Sequence, residues 1–105
     1  MVEYSLQLDS VFASLADPTR RDILSRVANV ELSVTELVSD YDMSFAAISK
    51  HLKVMEKARL IVKRKEGKKH MVSIAPDALR SAEEYLERYR RMQQSRFDKL
   101  DALIK

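Results

Sequence analysis

The chain has 105 residues, 46 % apolar and 33 % charged, with a net charge of +3. This is one domain's worth of sequence with enough apolar content to bury a core, which excludes a disordered chain. Cysteine is absent, which removes disulfides, thiolate metal sites and thiol redox chemistry together. One glycine and two prolines leave little room for long loops, so a mainly α chain is expected.

Leu6, Val11, Phe12 and Leu15 suggest a first helix over residues 8–16. Asp17-Pro18 starts a second: Asp17 can cap it, and Pro18 suits the first helical position, where no N–H is needed. Ile23, Leu24 and Val27 form its buried stripe. Residues 30–32 read as a short extended segment. Ser33-Val34-Thr35-Glu36 is a capping box that opens a short helix over residues 34–39. After a turn at residues 40–43, Ser44 caps a longer helix whose inner face is Ile48, Leu52 and Met55. Short helix, tight turn and longer helix make a helix-turn-helix.

The outer face of that longer helix offers Phe45, Ser49, Lys50 and Lys53, with Ala46 and Ala47 keeping it slim. A slim helix carrying hydroxyls and amines suits the major groove of duplex DNA. Residues 61–74 then form a basic hairpin around a Glu66-Gly67 turn, where the single glycine supplies a positive φ. A last helix over residues 77–104 carries the stripe Leu79, Ala82, Leu86, Tyr89, Met92, Phe97, Leu100 and Leu103/Ile104. At 1.5 Å per residue it spans roughly 40 Å, more than so small a globule can cover, so a homodimer is expected.

Charge is distributed unevenly. Residues 1–43 carry three basic and eight acidic side chains, residues 44–75 nine and two, and residues 76–105 seven and six. A +7 block laid over one helix and one hairpin is an electrostatic footprint for a polyanion.

These residues carry a resemblance. Leu15-Ala16-Asp17-Pro18-Thr19-Arg20-Arg21, Ile23-Leu24, the run from Ile48-Ser49-Lys50-His51 to Leu52-Lys53-Val54-Met55, and Lys65-Glu66-Gly67-Lys68 together resemble the ArsR/SmtB family of winged helix-turn-helix repressors. The likeness covers residues 11–104, and the tail EEYLERYRRMQQSRFDKLD is similar to that of one subgroup. It implies one winged domain over residues 1–105: a core with wing at 8–75 and a dimerisation helix at 76–105. It also implies a dimer joined through its first and last helices, with two reading helices facing successive major grooves of an operator.

Departures from the family pattern matter as much. The cysteine pair of its metal sensors falls on Ser33 and Thr35 of Glu31-Leu32-Ser33-Val34-Thr35, and residues 76–105 hold no histidine. Glu83, Glu84 and Glu87 alone would make only a hard, weak site, so no metal and no other cofactor is expected. Arg59 stands where the family commonly has glycine, which places an ordinary residue in left-handed backbone.

The resulting assignment is a double-stranded DNA-binding regulator, a homodimeric repressor. Ser44, Phe45, Ala46, Ala47, Ser49 and Lys50 are candidates for base edges; Lys53, Lys65, Lys68 and Lys69 for phosphates. Val11, Leu79, Ala82, Leu86, Tyr89, Phe97 and Leu100 are candidates for the dimer interface. His51 has two open readings, a DNA contact or the edge of the core; His70 reads as a surface strand residue, with a phosphate contact as the lesser reading. Met43, Met55, Met71 and Met92 read as core filler. A small-molecule inducer near Tyr85, Tyr89 or Phe97 is left open.

No phosphate loop, cysteine nucleophile or Ser/His/carboxylate set is present, so no enzyme is expected. The alternative is a winged-helix protein-interaction module that does not read DNA. No apolar run nears the ~20 residues of a membrane span. The stretch MVEYSLQLDS lacks a signal peptide's basic-then-apolar layout, so the expected location is cytoplasmic, on the nucleoid when bound.

Overall fold

The structure, a computed structural model, describes residues 6–104. Met1 to Ser5, the first half of the stretch read against a signal peptide, lie outside them. The elements run α1 Leu6–Leu15, α2 Pro18–Val27, β1 Leu32–Ser33, α3 Val34–Ser39, α4 Phe45–Lys57, β2 Ile61–Glu66, β3 Lys69–Ile74 and α5 Arg80–Ile104.

Local chemistry sets most of the boundaries. Asp17 accepts from the Arg20 backbone N–H with Pro18 at the first position of α2. That bond holds the Asp17 carboxyl below the usual carboxylate range. Ser33 and Glu36 form both bonds of the capping box, at 3.1 and 3.2 Å. Ser44 accepts from Ala47 N–H at 3.1 Å and starts α4.

Helix α4 ends in a Schellman motif: Leu60 N–H bonds to Met55 O and Arg59 N–H to Glu56 O, both at 3.0 Å. Arg59 takes φ 61°, the left-handed conformation expected from its place in the sequence. Replacing it with glycine removes the Cβ clash and is expected to raise stability by about 0.5–1 kcal/mol. A higher urea midpoint at unchanged m-value checks this.

Three antiparallel strands form a sheet in the order β1-β3-β2. The extended segment expected at residues 30–32 is shifted. Val30 is exposed and outside the sheet, while Leu32 and Ser33 pair with Val72 and Met71. The wing turn is shifted too. Glu66 pairs with Lys69, which leaves Gly67 and Lys68 as the two-residue loop. Gly67 has φ 61° at the first loop position, as a type II′ hairpin needs.

Helix α5 starts three residues later than read, because Pro76 to Leu79 form a turn with Arg80 N–H bonded to Asp77 O. Val11, Ile23, Val27, Leu37, Ile48, Leu52, Met55, Leu60, Ile61 and Val72 are buried in one cluster. Met55 is the one fully buried methionine of the four read as core. Met43 and Met92 are exposed and Met71 half-buried, because the turn and distal α5 have no core beneath them.

Candidate nucleic-acid interface

Two clamps fix how α4 is presented. On one side, the Arg20 guanidinium donates to Ser14 O at 2.8 Å, to Ala13 O at 3.2 Å and to His51 Nδ1 at 3.2 Å. It closes the orphan carbonyls at the end of α1 and ties them to the middle of α4. His51 Nδ1 also lies 3.9 Å from Asp17, and its side chain is only 18 % exposed. His51 thus packs at the edge of the core, where the Asp17-Pro18-Thr19-Arg20 motif meets it. On the other side, Arg26 pairs with Asp40 and lies 5.6 Å over the Tyr41 ring, while the Tyr41 hydroxyl donates to Asp22. The helix-turn-helix turn is thereby fastened to α2.

With its inner face locked, α4 turns Ser44, Phe45, Ala46, Lys50 and Lys53 outward; Ala47 and Ser49 are half-buried on its flanks. The wing lies beside this face. A concavity of about 350 Å³ runs between them, lined by Phe45, Ser49, Lys63, Lys68, Lys69 and His70 among others. A second, of about 410 Å³, is lined by Phe45, Ala46, Ser49, Lys50, Lys53 and Lys63. Lys50, Lys53, Lys63, Lys68 and Lys69 therefore share one surface, while Lys65, exposed on the same wing, lines neither concavity.

Charge pairing sharpens the pattern. Arg64 is taken up by Glu31 at 2.5 Å and Glu66 at 3.0 Å, which ties the wing to the segment before β1. Lys50, Lys53, Lys63, Lys65, Lys68 and Lys69 are exposed and make no ion pair among the described residues. Lys63 was missed in the sequence. It shares a face of β2 with buried Ile61, pairs with Val72 across the hairpin and lines both concavities with Phe45 and Ser49. His70 is an exposed residue of β3, as its sequence suggests, and lines the groove beside Lys69.

Residues 17–63 match the profile of the bacterial regulatory proteins of the arsR family. The HTH-type transcriptional regulator Rv2034 of Mycobacterium tuberculosis is 38 % identical over 81 residues, 77 % of this chain and 76 % of that one. A crystal structure of an ArsR family transcriptional regulator superposes with a TM-score of 0.81 at 30 % identity, covering 90 % of this chain and 98 % of that one. The chain belongs to the ArsR family. The Synechocystis SmtB homologue, a transcriptional repressor, is 31 % identical over 74 residues, 70 % of this chain and 56 % of that one.

As an ArsR family protein, the chain is a DNA-binding transcriptional regulator with a winged helix-turn-helix fold, not an enzyme. The same relatives favour DNA binding over the interaction-module alternative. Where family metal sensors place thiolates, Ser33 caps α3 and Thr35 lies on its exposed side. Among the described residues no three His, Asp or Glu side chains gather as a metal site, and no helix is long and apolar enough to cross a membrane.

The residues assigned to dimerisation divide into two sets. Val11 and Ala82 are 0 % and 5 % exposed within their own chain and have no surface to give a partner. Leu79 is half-buried against the core. Leu86, Tyr89, Phe97 and Leu100 remain 51–66 % exposed along α5. Phe12, one residue on from Val11, faces the same side. Its ring meets Tyr85 edge-on at 5.7 Å, and Tyr85 meets Tyr89 at 5.1 Å. Glu87, gripped by Arg90 and then Arg91, has its carboxyl held down at about 2.

Proposed function

We propose that this ArsR family regulator is a sequence-specific homodimeric repressor. In this reading the outer face of α4 lies in the major groove and the wing rests on the flanking phosphates. Ser44, Phe45, Ala46, Ala47, Ser49 and Lys50 meet base edges; Lys53, Lys65, Lys68 and Lys69, joined by Lys63, meet phosphates. The observation that carries this is the single surface on which exposed lysines of α4 and the wing border the two shared concavities. Lys50, Lys53, Lys63, Lys68 and Lys69, five cations lining these concavities without carboxylate partners, suit a polyanion.

The dimer is supported by shape. The chain is one domain, yet it extends 64 Å along its longest axis with a radius of gyration of 18.2 Å, against about 13 Å for a compact fold of ~100 residues. The excess is α5, whose exposed leucines and aromatics, with Phe12, would be covered by a second copy. The aromatic cluster at Phe12, Tyr85 and Tyr89 is assigned to that interface rather than to an inducer. Repression accords with the repressor relative, and a DNA-bound regulator works in the cytoplasm, on the nucleoid.

Lys50→Ala tests the base assignment. It is expected to cost about 1–3 kcal/mol at the preferred site and much less on random duplex. Equal loss on both in a gel-shift competition would make Lys50 a phosphate contact instead.

A further inference from the structure

Phe45 is the anomaly on the outer face of α4. It is 61 % exposed, although a phenyl ring is strongly favoured out of water. It is the first residue of α4, just past the Ser44 cap, so folding makes no demand for an aromatic there. It lines both concavities, together with Ser49 and Lys63. One turn on, Ile48 points into the core and Ser49 is small, so nothing bulky shields it along the helix.

The lysines around it select a polyanion, and a phenyl ring within such a surface needs an apolar partner. In the major groove the four base pairs present donors and acceptors and a single apolar group, the C5 methyl of thymine. We propose that Phe45 is a specificity-determining residue that reads a thymine C5 methyl in each half-site. This rests on the DNA reading above and adds the base class and the atom read. Ser49 and Lys50, on the same outer side, supply polar contacts around it; the phenyl ring supplies discrimination against cytosine and against purines at one position.

The test uses the full chain and the tightest duplex recovered from a random-sequence pool. Each thymine is replaced in turn by uracil, which removes the methyl and keeps every hydrogen-bonding group. At one position per half-site the wild type is expected to lose about four-fold in affinity, the worth of one methyl group taken out of water. Phe45→Ala should bind the thymine and uracil duplexes alike, and Phe45→Leu should fall between. Because Phe45 lies outside the core, the thermal midpoint of Phe45→Ala should match the wild type, which separates contact loss from unfolding. Salt-dependent binding with no uracil-sensitive position, or equal sensitivity in Phe45→Ala, overturns the methyl contact and leaves the DNA reading standing. Absence of salt-dependent binding to any duplex overturns both.

Discussion

Leu52→Ala is expected to lower the free energy of unfolding by about 2–5 kcal/mol. Leu52 is 0 % exposed on α4, in the cluster that holds Ile23, Leu37, Ile48 and Val72. Truncating it forfeits the transfer energy of the lost carbons and leaves a cavity whose walls come from several elements. They cannot all close in, because α4 is held at one side by Arg20 and at the other by the Tyr41 turn. A domain of this size is stable by only about 5–15 kcal/mol, so the loss removes a large share of the total. Urea unfolding checks it, with Lys53→Ala as a neighbour on the exposed side that should stay within about 0.5 kcal/mol of wild type. A Leu52→Ala midpoint indistinguishable from that of Lys53→Ala would mean that α4 is not anchored as described.

Leu86→Glu is expected to separate the proposed dimer while leaving each chain folded. Leu86 is 55 % exposed in the single chain, so a glutamate there meets water when the chain is alone. In a dimer closed over α5 the same carboxylate would be buried in apolar surroundings without a partner, at several kcal/mol. Sedimentation equilibrium should show the wild type at twice the chain mass and the variant at the chain mass, with the same circular dichroism. DNA affinity should fall by about 10²–10⁴, because two linked reading helices raise each other's effective concentration and a lone one cannot. A wild type that sediments as a monomer at micromolar concentration contradicts the dimer.

Features governed by neighbours in sequence were legible from the residues. The Asp17, Ser33 and Ser44 caps form the bonds their side chains prescribe, and Gly67 takes the positive φ a tight hairpin needs. The inner stripe of α4 follows from a 3.6-residue period, and its outer face is simply the complement. Features decided across the fold were not legible. The turn at Gly67-Lys68 depends on β2–β3 register, and Lys63 joins the site because the wing packs beside α4. His51 meets Arg20 across 31 residues of sequence. Periodicity marked Val11 and Ala82 as apolar but could not say which apolar residues the chain covers by itself; α1 packing on α5 decides that.

The central claim, that the lysines of α4 and the wing form one phosphate-gripping surface, is tested most directly by duplex affinity across a salt series. The logarithm of the binding constant should fall linearly with the logarithm of salt, with a slope of about −0.9 for each phosphate neutralised. Changing Lys63, Lys68 and Lys69 together to alanine should make that slope shallower by about 0.9 for each lysine that held a phosphate. A wild-type slope near zero, or a triple variant whose slope equals the wild type's, would contradict it.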